Sequence, residues 1–234
     1  MAMHGPDVRP TRLQSLFPPE IITVERLAEG DIDALSAGEA ACLGQAGPKR
    51  AREFAAGRQC ARAALHRLGV ASWDLSVRPD RTPVWPDGIV GSISHTTGFC
   101  AVAVGRGRDC RSIGLDVEVD LRVTAELYPQ FLTSAEQTWL SGRPPDMADR
   151  LATLIFSAKE AFYKAQYPMT AEWLEFADIE IDLPAEPSNV GDIGVRSTRR
   201  LMLESLIPGP WLGRYGRFDG LVATGVAFPV ERRS

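Results

Sequence analysis

The 234-residue chain lacks the features that would place it in a membrane or outside the cell. No run approaches the roughly 18 consecutive apolar residues of a membrane span, and the first twenty residues lack the apolar stretch of a signal peptide. The four cysteines, Cys42, Cys60, Cys100 and Cys110, form neither a C-x-x-C pair nor a dense disulfide framework. We therefore expect a soluble, cytoplasmic protein with buried, reduced thiols.

Histidine is also scarce, and several catalytic motifs are missing. His4, His66 and His95 are too few and too scattered for a zinc cluster, so carboxylates would have to hold any bound metal. The sequence contains no G-x-x-x-x-G-K-[ST] phosphate loop, no G-x-S-x-G nucleophile elbow and no zinc-protease helix. These absences exclude the commonest nucleotide-dependent and acyl-transfer enzymes.

The net charge of −4 is unevenly distributed. Residues 1–112 hold 14 basic and 12 acidic residues (+2), whereas residues 113–234 hold 12 and 18 (−6). The first half is therefore expected to favour anions. A nucleic-acid binder would be more basic overall and would carry a recognisable reading module, so we expect no nucleic-acid partner.

Hydrophobic spacing predicts a mixed architecture, with a core large enough for one large domain or two small ones. Helices are expected over 34–44 and 49–68, and over 149–166, where Pro168 should close the last of them. Thr133 and Glu136 form a T-x-x-E capping box at the start of a short helix. Strands are expected on either side of "HTTG" (95–98), at 113–120 and near the C-terminus. Since helices and strands do not alternate regularly, the fold class is α+β.

The segment "IGLDVEVD" (113–120) alternates strictly between apolar and polar residues. The period of two places Asp116 and Glu118 on one side of a strand, about 7 Å apart. Two carboxylates this close repel each other unless a positive charge lies between them. The alternative interpretation is a solvent-facing edge strand with acidic spacers.

Charged residues also stand out in two predicted helices. In "FSAKEAFYKA" (156–165), Glu160 and Lys164 share a face, which an ordinary i,i+4 salt bridge would also explain. The helix at 49–67 is strongly basic, although a solvated cationic helix would look the same. Its charged residues are Lys49, Arg50, Arg52, Arg58, Arg62 and Arg67, against one acid, Glu53.

Together these groups suit a magnesium-bound pyrophosphate. Mg²⁺ prefers oxygen ligands and usually takes one or two protein carboxylates, with water and phosphate oxygens completing its octahedron. Asp116, Glu118 and Glu160 would supply the carboxylates. Lys164, His95 and the arginines would hold the phosphates, although a lone histidine is more often structural.

Three segments, "GSISHT" (91–96), "IGLDVEVD" (113–120) and "FSAKEAFYKA" (156–165), resemble in order and spacing the 4'-phosphopantetheinyl transferases of the large single-chain type. The upstream segments 49–69 and 81–92 are similar to the enterobactin synthase component D branch of that family. The resemblance implies two similar α+β lobes related by a pseudo-twofold, with coenzyme A in the cleft between them. The change in charge balance near residue 112 agrees with lobes at 1–112 and 113–234.

The resemblance further implies transfer of the phosphopantetheine arm of coenzyme A to a serine of an apo acyl or peptidyl carrier protein, with release of 3',5'-ADP. By resemblance, Asp116, Glu118 and Glu160 bind Mg²⁺ or Mn²⁺, and Glu160 is also the base. Lys164 is catalytic and contacts the pyrophosphate. The remaining coenzyme A contacts fall on Arg50, Arg58, Arg81, Thr82, Pro83, Ser94, His95, Asp116 and Lys159.

The carriers served could belong to fatty acid, polyketide, siderophore or nonribosomal peptide synthesis. We expect a monomer that receives the carrier on the ring-bearing segment 121–132. Two other functions remain open. One is a coenzyme A or nucleotide binding module without transferase activity, and the other is a metal-dependent pyrophosphate hydrolase.

Overall fold

The computed structural model describes residues 12–27, 29–71 and 73–230. His4, one of the scattered histidines, lies outside these ranges. The described chain folds into eight strands and five α-helices. The strands are β1 Ile22–Arg26, β2 Ile89–Thr96, β3 Phe99–Arg106, β4 Cys110–Val119, β5 Ile179–Asp182, β6 Val190–Ser197, β7 Trp211–Phe218 and β8 Leu221–Pro229. The helices are α1 Ala37–Ala41, α2 Pro48–Arg67, α3 Tyr128–Phe131, α4 Ser134–Ser141 and α5 Pro145–Thr170.

The strands form two antiparallel sheets, which confirms the α+β class. The first has the order β1-β3-β2, and the second has the order β4-β8-β7-β6-β5. Apolar residues of α2 pack on the first sheet, and those of α5 pack on the second. Each sheet thus buries one face under a long helix.

A third apolar cluster lies between these two layers and draws on both halves of the sequence. Leu13 and Leu16, from a short 3₁₀ helix at Arg12–Leu16, pack there with Ala103 of β3, Leu115 of β4 and Ala223 of β8. This N-terminal segment therefore shares a core with the second sheet. The division into lobes at residue 112 stays a prediction.

Two serines join the sheets along their edges. The hydroxyl of Ser92 accepts a hydrogen bond from the backbone N–H of Leu115 (3.0 Å), and that of Ser94 accepts one from Val117 (3.1 Å). β2 and β4 are edge strands of different sheets, so these hydroxyls bind amides that would otherwise be unpaired. The two strands run in the same direction along this serine seam.

Two helix predictions were wrong in detail. The helix expected at 34–44 is reduced to a 3₁₀ turn at Ile32–Ala34 and the short α1, because Ser36 and Glu39 form a capping box that starts a new helix. Pro168 lies inside α5 instead of closing it. A proline in the last turn removes only one backbone bond. The helix ends at Thr170, and the N–H of the following Ala171 still reaches Tyr167 O (2.8 Å).

The capping box of Thr133 and Glu136 is confirmed at the start of α4. Of the ring-bearing segment 121–132, Phe131 and Leu132 are buried in the core, whereas Leu121 and Leu127 are exposed. Within the three described ranges, no helix is long and apolar enough to cross a membrane.

Candidate functional site

The close approach of α5 to β4 sets the geometry of the site. Gly114 permits it, because a Cβ at this position would lie 1.8 Å from the carbonyl oxygen of Ala161. The period of two along β4 places Asp116 and Glu118 on the same face as Gly114, under the helix. Lys164 of α5 can therefore reach Asp116 of the strand.

Asp116 is held by both halves of the chain. Its Oδ1 accepts hydrogen bonds from Lys164 Nζ (2.6 Å) and from Ser94 Oγ (3.0 Å). Its Oδ2 is buried and has no hydrogen-bond partner. Asp116 is only 3% exposed and Glu118 only 7%, so the alternative of a solvent-facing strand is wrong.

Glu118 has a different counter-ion. Its Oε2 accepts a short hydrogen bond from Arg122 Nη1, four residues further along the chain. Burial raises the pKa of Glu118, and the charge of Asp116 raises it further, while Arg122 opposes both effects. The two strand carboxylates thus repel each other, as the sequence predicted, and each is paired with a separate cation.

Glu160 lies half-buried on α5 next to these groups. Burial raises its pKa, and nearby Asp116 adds to the effect, while Lys164 lowers it. Lys164 pairs with Asp116 across the two elements, so a simple i,i+4 salt bridge does not account for its position. Glu160 also lines a pocket of about 190 Å³ with Tyr163, Trp173 and Phe176. A half-buried carboxylate with a raised pKa is suited to act as a base.

A larger cleft of about 530 Å³ opens beside Lys164. It lies between α2, the loop 78–88, β2 and the end of α5. Most of the predicted coenzyme A contacts line it, which brings together residues more than 100 positions apart. These are Arg50, Arg58, Arg81, Thr82, Pro83, His95 and Lys164.

Three cationic or titratable side chains, Arg50, Arg58 and His95, form a basic wall of this cleft, in which Arg50 is exposed and His95 is half-buried. Arg50 Nη1 makes a short contact with His95 Nε2 and lies 3.7 Å from Glu53 Oε2. Burial lowers the pKa of His95, and the positive charge of Arg50 lowers it further. In the absence of an anion, His95 is therefore biased toward its neutral form.

Arg58 is the buried part of the wall. Its Nε donates to Leu75 O (3.1 Å), and its guanidinium carbon lies 3.7 Å from the centre of the Phe54 ring. Its Nη2 is buried without a partner. Burial lowers its pKa to about 10. An oriented cation with a free donor beside a cleft is suited to bind phosphate.

The loop 78–88 closes the other side of the cleft. Thr82 is fixed by Asp80 Oδ1, which accepts from its backbone N–H (2.9 Å) and its hydroxyl (2.6 Å). Arg81 takes a left-handed backbone conformation (φ 69°), which is uncommon outside glycine. The sequence analysis missed other residues of this cleft, among them Arg78, Trp85 and Tyr167. Trp85 lies between Pro83 and Pro86, which indicate a loop but not its contacts, and nothing in the sequence marked Arg78 or Tyr167.

Lys159 does not join the cleft, and the contacts of its ammonium group do not support its predicted role in binding coenzyme A. It is 1% exposed, and its Nζ donates to Glu136 Oε2 (2.8 Å), Phe131 O (2.9 Å) and Phe176 O (2.8 Å). All three donors are therefore used within the protein. Burial lowers the pKa of Lys159, although Glu136 opposes this.

The carboxylate oxygens of the site fit a divalent cation, but not as a complete set of protein ligands. Within residues 12–27, 29–71 and 73–230, no three His, Cys, Asp or Glu side chains are grouped closely enough to hold a metal by themselves. Mg²⁺ commonly binds through one or two carboxylates, and the buried, unpartnered Oδ2 of Asp116 is a free oxygen ligand. Asp116 and Glu118 therefore fit such an ion, and Glu160 stays a predicted third ligand.

Comparisons with known proteins agree along most of the chain. Residues 38–105 match the 4'-phosphopantetheinyl transferase N-terminal domain, and residues 112–201 match the 4'-phosphopantetheinyl transferase superfamily. The chain is 37% identical to the 4'-phosphopantetheinyl transferase Svp of Streptomyces mobaraensis, over 92% of this chain and 88% of that protein.

Two further relatives cover similar shares. The 4'-phosphopantetheinyl transferase PptT of Mycobacterium tuberculosis is 35% identical over 80% of this chain and 83% of its own length. Enterobactin synthase component D of Salmonella typhi is 39% identical over 81% of this chain and 79% of its own length.

Proposed function

Since the chain belongs to the 4'-phosphopantetheinyl transferase superfamily, we propose that it transfers the 4'-phosphopantetheine arm of coenzyme A to a serine of an apo carrier protein and releases 3',5'-ADP. One observation of the structure supports this proposal independently of family membership. The basic cleft adjoins a buried pair of carboxylates, and Lys164 belongs to both. A pyrophosphate could therefore lie between the cations and the acids.

In this proposal the cleft holds the substrate. Arg50, Arg58 and His95 bind the 3'-phosphate and neighbouring oxygens, while Arg81, Thr82 and Pro83 form the adenosine side. Lys164 contacts the pyrophosphate and stabilises the charge of the departing bisphosphate. Ser94 and Asp116 position Lys164, whose Nζ donates to Ser94 Oγ (3.4 Å) and to Asp116 Oδ1 (2.6 Å).

Asp116 and Glu118, with Glu160 as the further candidate, would bind Mg²⁺ or Mn²⁺ at the pyrophosphate. The bound ion would neutralise phosphate charge and orient the group for attack. Glu160 accepts the proton of the carrier serine as the serine oxygen attacks the phosphorus of the transferred group. The bond from that phosphorus to 3',5'-ADP breaks in the same transfer. Because the serine attacks directly, the reaction needs no covalent enzyme intermediate.

We further propose that the enzyme is a cytoplasmic monomer whose two lobes, 1–112 and 113–234, are related by a pseudo-twofold. The serine seam and the cleft beside it are consistent with such a boundary. The carrier would approach near the exposed Leu121 and Leu127, beside the metal ligands. Arg122, also exposed, would steer acidic carriers toward this surface.

Intact-protein mass spectrometry tests the reaction. The chain is incubated with coenzyme A, Mg²⁺ and a panel of apo carriers from fatty acid, polyketide, siderophore and nonribosomal peptide systems. A mass increase of one phosphopantetheine on a carrier, absent from its Ser→Ala variant, is the expected result. Coenzyme A cleavage without any carrier would favour a pyrophosphate hydrolase, and binding without turnover would favour a binding module.

A further inference from the structure

The turn after β4 folds the chain back onto a proposed metal ligand. Four residues of continued strand would separate the Cα atoms of Glu118 and Arg122 by about 13 Å. Instead, the Arg122 N–H donates to Val119 O (3.2 Å), and Leu121 takes a left-handed conformation with φ 63°. A branched residue is unusual there and is kept only where the surroundings enforce it. The turn brings the Arg122 guanidinium onto Glu118.

The two strand carboxylates differ in what they leave free. Asp116 uses only Oδ1 for Lys164 and Ser94, so its Oδ2 remains available. Glu118 has its Oε2 occupied by Arg122. A divalent ion could therefore join Asp116 without breaking any contact, whereas full use of Glu118 requires Arg122 to move. Arg122 is able to move, since its side chain is 55% exposed while that of Glu118 is 9% exposed.

We propose that Arg122 is the counter-ion of Glu118 in the metal-free protein and that the divalent metal displaces it. This inference rests on the proposed function. Without metal, the guanidinium offsets the repulsion between Glu118 and Asp116. With metal bound, the ion supplies that charge and repels Arg122 toward solvent. Arg122 thus competes with the metal for Glu118. Its guanidinium is released from Glu118, and stays beside the site, only when the metal is bound.

The first test measures metal binding without turnover. Mn²⁺ is titrated into the full chain with saturating coenzyme A and no carrier, and free Mn²⁺ is followed by electron paramagnetic resonance. Arg122→Ala should lower the Kd for Mn²⁺ by roughly three- to tenfold, because the competitor and its repulsion are both removed. Arg122→Lys, which keeps the charge, should restore most of the wild-type value.

Arg150 provides a matched control. Its side chain is 53% exposed, and its Nη1 lies 3.5 Å from Oδ2 of Asp120, two residues beyond Glu118. Arg150 lies on α5, and Arg150→Ala removes the same charge near the same end of β4 without touching Glu118. Its effect on the Kd for Mn²⁺ should be much smaller than that of Arg122→Ala.

The second test uses stability. In EDTA, Arg122→Ala should melt at a lower temperature than wild type, because buried Glu118 loses its counter-ion. With saturating Mn²⁺ and coenzyme A, this difference should shrink, whereas any difference caused by Arg150→Ala should stay constant.

The outcomes separate this inference from the function on which it rests. If wild type binds Mn²⁺ and Arg122→Ala leaves the Kd unchanged or raises it, Arg122 is not a competitor and the inference is overturned. If wild type binds no Mn²⁺ even with coenzyme A, the proposed metal site itself is wrong, and the inference falls with it.

Discussion

Glu160 lies in an environment that differs from that of an ordinary surface carboxylate. Burial and Asp116 raise its pKa, and Lys164 only partly compensates. A raised pKa makes this carboxylate a stronger base than an exposed glutamate. As the proposed base, Glu160 acts when the serine proton leaves, so its loss should affect chemistry more than binding.

We predict that Glu160→Gln lowers kcat by about a hundredfold or more while changing the Kd for coenzyme A by less than about tenfold. In wild type, kcat/KM should rise with pH through the raised pKa of Glu160, and this limb should disappear in the variant. Single-turnover kinetics and calorimetry check the two parts. A fall in affinity that matches the fall in rate would identify Glu160 chiefly as a metal ligand.

Arg50 offers the cleaner test of the phosphate wall, since Arg58 also holds Leu75 O and packs on Phe54. Charge-assisted hydrogen bonds to phosphate contribute roughly 1.5–3 kcal/mol each. Arg50→Ala should therefore weaken coenzyme A binding by about ten- to a hundredfold and dephospho-coenzyme A binding by much less.

The control is Arg52→Ala, which removes a charge from the same helix. Arg52 pairs with Glu29 and does not line the cleft. Equal losses for the two ligands in Arg50→Ala would place Arg50 at the pyrophosphate or on the surface.

His95 should take up a proton when coenzyme A binds. Its pKa is lowered in the free protein, so it is mostly neutral at pH 7, and a neighbouring phosphate would raise that pKa. Affinity should then decrease as pH rises through the raised value. Calorimetry in buffers of different ionisation enthalpy measures the uptake. The variant His95→Gln separates proton uptake by His95 from titration of the ligand. An identical proton uptake in that variant would contradict the placement of His95 at a phosphate.

Local sequence patterns predicted which residue types belong to the site but not all of their contacts. The spacing of Asp116 and Glu118 indicated one side of a strand, and that of Glu160 and Lys164 indicated one face of a helix. The structure shows that the two elements meet at the Asp116–Lys164 pair. Lys159, adjacent to Glu160, was assigned to coenzyme A by resemblance alone, and its contacts do not support that role. Its partners lie at 131, 136 and 176, and the helical or strand periodicity of a sequence does not predict contacts between such distant segments.

At the scale of elements, the Lys159–Glu136 pair joins α5 to α4 and β5. Glu136 Oε2 accepts from Lys159, and its Oε1 accepts from the Ile181 N–H (2.9 Å). The capping box of α4 was predictable because it is local, but this second role of Glu136 was not. The pair fixes the position of the helix that carries Glu160.

We predict that Glu136→Gln lowers the free energy of unfolding by about 3–5 kcal/mol, because it leaves buried Lys159 without its counter-ion. Urea denaturation measures this. Arg196→Ala, which breaks an exposed pair with Asp182, should cost no more than about 1 kcal/mol. Similar losses in the two variants would argue against the buried pair as a structural element.

At the scale of the whole molecule, two hydroxyls connect the sheets on either side of the cleft. The sequence predicted strands at both places, yet the seam could not be predicted, because serine in "GSISHT" gives no sign of its cross-sheet partner. Since β2 carries His95 and β4 carries Asp116, this seam sets the distance between the basic wall and the proposed metal ligands.

We predict that Ser92→Ala increases hydrogen exchange of the Leu115 amide and destabilises the fold by about 1–3 kcal/mol, because a buried N–H loses its only described acceptor. Ser92 does not contact Asp116, so chemistry should survive in the folded fraction. Ser76→Ala, in a loop outside the seam, is the control. Unchanged exchange at Leu115 would show that β2 and β4 are held together by packing alone.

The N-terminal segment has a consequence for the order in which the protein can fold during synthesis. Arg12 pairs with Asp219, 207 positions later, and Leu13 and Leu16 share a core with Leu221 and Ala223 of the last hairpin. The segment made early can pack on Ala103 of β3 once the first sheet has formed, but its apolar face is covered completely only after β8 has left the ribosome. Folding of this shared core therefore cannot be completed one half at a time, and part of the face stays exposed until the last hairpin is made.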